Sequence, residues 1–271
     1  MNDLVSRCSV VLVETTEGGN VGSACRALMN CGFCAPVLVD SKVENWQEAK
    51  KMAVHASAMV DSAPRVSSLV EALRQVHWVV GISARARKHQ ERKIPLGPAR
   101  FLEKLAALPT GSRAALVFGT ERTGLTNEQL GLCQDILTLP TDRAYPSMNL
   151  AQAVMAVAWT IRMADLGEIP GSVRTQVLQP DSRKDMASAN ELHGLVEHAR
   201  RTLSIIGYLD PQNPELILNE LRKVLSRASL DMREVRMLRG IFHKMDVWIA
   251  AHGGPRTPNQ PRRKRHDNSS R

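Results

Sequence analysis

Residues 9–26 read Ser9-Val10-Val11-Leu12-Val13-Glu14-Thr15-Thr16-Glu17-Gly18-Gly19-Asn20-Val21-Gly22-Ser23-Ala24-Cys25-Arg26. A β-branched run passes through a polar, Gly-rich turn into a helical pattern. The same alternation continues to residue 167. Strands are predicted at Ser9–Glu14, Pro36–Asp40, His77–Ser83, Arg113–Gly119 and Asp135–Pro140. Helices are predicted near Val21–Asn30, Trp46–Ala53, Ser67–Gln75, Pro98–Ala107 and Asn127–Cys133. A longer helix follows Asn149, with Leu150, Val154, Val157, Ala158 and Ile161 forming its apolar stripe. Strands alternating with helices at this pitch predict an α/β fold with a mostly parallel sheet covered on both faces. Thr126 with Gln129 reads as a capping box, and Asn20 and Asn149 read as helix caps.

The pattern changes beyond residue 167. Residues 168–190 hold Pro170, Gly171, Pro180 and many polar side chains, which suits a linker. Residues 191–252 carry three helical patterns, at Glu191–Ile206, Pro214–Ala228 and Met232–Ala251. Such a small appendage suits docking or dimerisation better than independence. Residues 253–271 are rich in proline and poor in apolar side chains, the composition of a disordered tail.

The formal charge is +9, and residues 256–271 alone supply +5 of it. A loose basic end suits a polyanionic partner, because neutralised phosphates release counterions; equally, it suits a solvated tail that aids solubility. No apolar run is long enough to span a bilayer, and residues 1–8 lack an apolar signal core, so no membrane association and a cytoplasmic location are expected. The odd number of cysteines, five, suits reduced thiols rather than a disulfide framework. Cys31-Gly32-Phe33-Cys34 has the spacing of a metal or redox pair, but no second Cys/His pair stands nearby, so no metal is expected.

Three segments follow predicted strands, where ligands collect in open parallel sheets. In the first, residues 14–26, glycines permit a turn out of the strand and Asn20 caps the helix. Arg26 falls in that helix's second turn, able to reach a phosphate or an oxyanion; a surface arginine on an ordinary capped helix is the simpler alternative. The second is Leu116-Val117-Phe118-Gly119-Thr120-Glu121-Arg122-Thr123-Gly124-Leu125-Thr126. There Gly119 would let a ligand approach the backbone, and Glu121 and Arg122 could simply pair with each other. The third runs from Leu137 to Thr141 and from Tyr145-Pro146-Ser147-Met148-Asn149 into the long helix. No segment spells Gly-x-Gly-x-x-Gly or a P-loop, which weighs against a nicotinamide oxidoreductase.

In this order and spacing the three segments resemble the SPOUT superfamily of RNA methyltransferases and, more closely, its TrmJ-like branch. The resemblance runs over residues 8–165. It continues in Gly207-Tyr208-Leu209, in residues 221–228 and in residues 234–241. It implies a trefoil knot closing the α/β domain of residues 1–167, which chain pattern alone would not suggest. It also implies a homodimer, an S-adenosylmethionine cofactor and methylation of a ribose 2'-hydroxyl of tRNA, at nucleotide 32 (C or U) of the anticodon loop.

Carried over residue by residue, the cofactor pocket would comprise Ile82, Ser83, Ala84, Gly119, Leu139, Pro146, Ser147, Met148 and Asn149. Arg26, held by Asn20, would activate the hydroxyl, either as base or as electrostatic stabiliser. An always-charged guanidinium favours stabilisation. Tyr145 and Ser147 would orient the substrate, and Arg85 and Arg87 would contact RNA. Two departures stand out. Pro146 and Met148 replace the Ser and Leu common in the family, and proline removes one backbone donor. Residues 88–95 form a charged, insertion-like stretch. The alternatives within the same fold are a methyltransferase acting on ribosomal RNA and a catalytically idle tRNA-binding protein.

Overall fold

A computed structural model describes residues 4–83, 95–142, 144–168, 186–228 and 230–252. Strands β1 (Cys8–Val13), β2 (Val37–Val39), β3 (Arg65–Val66), β4 (Trp78–Ile82), β5 (Ala114–Phe118) and β6 (Asp135–Leu137) form one sheet in the order β3-β2-β1-β5-β4-β6. Every pairing is parallel, with Val11 beside Val37, Val10 beside Leu116, Val80 beside Leu116 and Gly81 beside Ile136. The α/β, parallel-sheet expectation is met. The chain lays β2 and β3 outward on one side of β1, then places β5, β4 and β6 on the other. The carboxyl ends of β1 and β5 therefore flank the point where the winding reverses, where a crevice opens in such sheets.

The strands are apolar on both faces because both are covered, as parallel sheets require. Alternate residues serve opposite layers. Val10, Leu12, Leu116 and Phe118 pack with α1 (Gly18–Asn30), α5 (Pro98–Ala106) and α7 (Leu150–Asp165) through Leu28, Phe101 and Ile161. Val11, Val13 and Val117 face α4 (Leu69–Ala72) and α6 (Asn127–Gly131) through Leu69 and Leu130.

Helix α2 (Trp46–Ala53) begins and ends as expected. A 3₁₀ turn at Val54–Ala56, a short α3 (Ser57–Ser62) and the two-residue β3 went unforeseen, being too short to show a period. The capping box of Thr126 and Gln129 is present, and Asn149 accepts from Ala151 N and Gln152 N at the start of α7.

The start of α1 differs from expectation. It begins at Gly18, a turn earlier than the cap read at Asn20, and its N-cap Glu17 makes no side-chain capping bond. Asn20 lies inside the first turn and Arg26 in the third. Nor do the glycines make the turn: the left-handed residue is Glu14, at φ 51°. Gly22 is required by packing, since a Cβ there would lie 2.0 Å from Ala49 O of α2.

The last three helices, α8 (Ala189–Ile205), α9 (Glu215–Ala228) and α10 (Met232–His252), gather around Leu195, Leu218, Leu225 and Val235. Ser188 and Glu191 form a capping box that opens α8. Ala189 N donates to Val76 O at 2.7 Å, tying this unit to the segment before β4. Across it, Asp246 accepts from Thr202 Oγ1 at 2.6 Å and pairs with His198 at 2.9 Å. The hydroxyl bond, then the imidazole, hold its carboxyl below the usual carboxylate range. Most of the expected linker, residues 169–185, and the whole expected tail lie outside the described residues.

Candidate active-site cleft

A cleft of about 500 Å³ opens beyond the carboxyl ends of β4, β5 and β6. Ile82 and Ser83 form one wall, Phe118 to Leu125 the second, and Leu139, Thr141, Pro146, Ser147, Met148, Leu150 and Ala153 the third. Its lining is mixed. Ile82, Leu125, Leu139, Met148 and Leu150 supply apolar surface, while Thr120, Glu121, Arg122, Thr123, Thr141 and Ser147 supply polar groups. The volume lies in the range typical of small-molecule sites, roughly 300–1,000 Å³.

Gly119 is needed here for a reason other than the expected one. A Cβ on it would meet Gly124 C at 2.2 Å and Leu125 N at 2.3 Å. The chain segment that approaches Gly119 is thus its own loop, folded back by the hydrogen bond from Gly124 N to Thr120 O at 3.0 Å. That fold-back shapes the second wall. The third wall is braced by Thr141 Oγ1, which donates to Pro146 O at 3.2 Å.

Side chains join the three segments. Glu121 turns to the first segment rather than to Arg122: its Oε2 accepts from Thr16 N at 3.3 Å and Thr16 Oγ1 at 3.2 Å. Its Oε1 accepts from Glu17 N and Asn20 Nδ2, both at 3.3 Å. Asn20 Oδ1 in turn accepts from Asn149 Nδ2 at 2.9 Å. A second tie comes from Gln129, whose Nε2 donates to Glu14 Oε1 at 2.8 Å while its Oε1 closes the α6 capping box.

Of the residues read from sequence, Ile82, Ser83, Gly119, Leu139, Pro146, Ser147 and Met148 line the cleft. Asn20 and Asn149 are brought together beside it and absent from its walls. Tyr145 is 79% exposed and also outside the lining. Arg26 is exposed on α1, away from the cleft, and has no hydrogen bond or ion pair among the described residues. Ala84, Arg85 and Arg87 lie outside the described residues. The sequence reading passed over Glu121 as an organiser, and over Thr123, Leu125 and Thr141 as lining. Nothing local signalled Glu121, because Asn20 read as the cap and the Glu17 cap position emerged only from the structure.

Cys31 is buried at the end of α1 and Cys34 exposed, both as free thiols. Among the described residues, no group of three or more His, Cys, Asp or Glu is placed to hold a metal ion. No helix among them is long and apolar enough to cross a membrane.

Residues 7–159 match the SpoU rRNA methylase family, and residues 190–261 match the C-terminal domain of the tRNA methyltransferase TrmJ. The chain is 36% identical over 245 residues to the tRNA (cytidine/uridine/adenosine-2'-O-)-methyltransferase TrmJ of Pseudomonas aeruginosa (strain UCBPP-PA14), covering 88% of this chain and 93% of that one. It is 32% identical over 246 residues to the tRNA (cytidine/uridine-2'-O-)-methyltransferase TrmJ of Escherichia coli (strain K12), covering 90% and 96%. The crystal structure of TrmJ from Z. mobilis ZM4 matches with a TM-score of 0.74 at 26% identity, covering 88% of this chain and 98% of that one.

Proposed function

Since the chain belongs to the SpoU rRNA methylase family, we propose that it transfers a methyl group from S-adenosylmethionine to a ribose 2'-hydroxyl of tRNA, at nucleotide 32 in the anticodon loop. The observation that carries this reading is the cleft at the carboxyl ends of β4, β5 and β6, assembled from the second and third segments together with Ile82 and Ser83. The matching C-terminal domain and the names of the relatives favour tRNA over ribosomal RNA as substrate.

The lining fits the cofactor. Ile82, Leu139, Met148 and Leu150 offer apolar surface for an adenine ring, and Thr120, Thr123, Thr141 and Ser147 offer hydroxyls to its sugar and amino-acid ends. S-adenosylmethionine, when bound, supplies an activated methyl group. The protein's task is then to make a ribose oxygen nucleophilic, which needs its proton removed or its developing charge stabilised. We assign that stabilisation to Arg26, with Asn20 ordering the start of its helix and Asn149 joining α1 to the third wall. Ser147 and Tyr145 orient the substrate, and Arg85 and Arg87 contact the RNA backbone.

Arg26 stands clear of the cleft in its own chain, which supports a homodimer in which α1 meets a second copy. Met29 on α1 and Trp159 on α7 are 53% and 50% exposed, leaving apolar surface on two helices that pack together. We further infer a trefoil knot between β4 and α7. The chain leaves β6 at the sheet edge and returns to bring residues 146–148 beside Ile82 and Gly119, which supports that path. A cytoplasmic location accords with a tRNA substrate and with free thiols.

The test is transfer of labelled methyl from S-adenosylmethionine to unmodified tRNA, with mapping of the modified nucleotide. A ribose methyl at nucleotide 32 is the expected result. Methylation of ribosomal RNA alone would overturn the substrate, and absence of both transfer and cofactor binding would overturn the activity.

A further inference from the structure

We propose that α10 carries a docking groove for an amphipathic helix of another protein, apolar along one side and edged with Asp or Glu. The groove belongs to the C-terminal unit, so the proposal stands apart from the methyl-transfer reading. Helix α10 turns one side inward, where Val235, Leu238 and Phe242 pack in the three-helix core. Its opposite side stays apolar where a surface helix is ordinarily polar. Met237, Ile241, Met245 and Trp248 recur at intervals of three or four residues and, with Ile206 and Ile249, line an open groove of about 770 Å³. Met237, Ile241 and Trp248 are each more than half exposed. Single apolar side chains on a surface need no partner, whereas a contiguous stripe marks an interaction surface.

Gly240 lines the middle of the groove, inside a helix, where glycine lowers helix stability. A Cβ there would meet nothing within 4 Å, so packing among the described residues does not require the glycine, and the space is open to a close approach from outside. At the groove's end Trp248 stacks on His252, with ring centroids 4.7 Å and planes 17° apart, which holds the indole as a ready anchor. The spacing from Met237 to Trp248 matches a partner helix presenting apolar side chains at i, i+4 and i+7, and methionines adapt to such a face. The rim sets the partner's charge. Lys244 lines the groove and Arg233 lies one turn before Met237; neither has an ion pair or hydrogen bond among the described residues. Carboxylates flanking the partner's apolar stripe would answer both. A second α10 does not supply them: its acids are Glu234, which accepts from Asp231 N at 2.9 Å, and Asp246, held by Thr202 and His198. Residues 253–271 hold no Leu, Ile, Val, Met, Phe, Tyr or Trp, so the chain's own tail offers the groove nothing to bury. For RNA the lining is wrong, since Lys244 is its sole charged residue.

The probe is a labelled synthetic helix of about 18 residues, or five turns, with Leu at i, i+4, i+7 and i+11 and Glu at the flanking positions. It is titrated into the full-length protein beside a control peptide carrying Lys in place of each Glu. The Glu peptide is expected to bind at least about tenfold tighter at low salt, with the difference narrowing as salt rises. Ile241→Asp sets a charge in the exposed stripe and leaves the core untouched; it should weaken the Glu peptide by about tenfold or more. Lys244→Glu should move the preference towards the Lys peptide, a reversal that misfolding does not produce. Absence of binding, equal binding of both peptides, or an Ile241→Asp variant that binds as well as wild type would overturn the proposal. A tenfold loss of tRNA affinity in Ile241→Asp, or loss of a concentration-dependent dimer in sedimentation, would overturn it in favour of RNA or of a second copy.

Discussion

Arg26 is exposed on α1 with no partner among the described residues, so its donors are available to a ligand. Arg26→Ala is expected to abolish methyl transfer while leaving S-adenosylmethionine affinity nearly intact, since the residue lies outside the cleft lining. Transfer assays beside calorimetric binding decide it, and equal activity in mutant and wild type would sink the assignment. The cysteines offer a different residue-level test. Burial pushes the Cys8 and Cys25 thiols from 9.0 up to about 12. Between these values the unfolded chain has lost the protons that the folded chain holds, so both thiols lower stability as pH rises from about 9 towards 12 and have no effect below. Only Cys34 is exposed, so a thiol reagent at pH 8 should label one cysteine in the native protein and five after denaturation. Rapid native labelling of Cys8 or Cys25 would contradict the burial.

Helix α1 shows how strongly one element depends on its neighbours. Its buried face is Val21, Ala24, Cys25 and Leu28. Its start came out a turn early, and the segment just before it is held by Glu121 of the loop after β5, which accepts from Thr16 N and Glu17 N, a contact no local pattern could reveal. Gly22 lies within the helix in both sequence and structure, and only packing shows that it is a contact point between helices. Gly22→Ala should force α1 and α2 apart and cost roughly 1–3 kcal/mol of stability. A shift in the urea midpoint measures this. An unchanged midpoint would mean that α2 moves freely, against the 2.0 Å approach of Ala49 O. Where caps are local, as with Thr126–Gln129 and Asn149, sequence and structure agree to the residue.

Over the whole molecule, the +9 charge suits a polyanionic substrate, and more than half of it sits in residues 256–271. Deleting those residues should weaken tRNA binding and flatten the slope of log affinity against log salt, because fewer counterions are released. An unchanged slope would return the tail to the role of a solvated end. The amino-acid sequence by itself determined the layered α/β architecture, because alternating apolar periods dictate which faces must be buried. The resemblance to a family carried over seven of the cleft's lining residues, Ile82, Ser83, Gly119, Leu139, Pro146, Ser147 and Met148. Only the tertiary structure decided the strand order, the meeting of Asn20 with Asn149, and the work of Glu121. These depend on which strand lies beside which, and hydrogen bonds between residues more than a hundred positions apart leave no period along the chain.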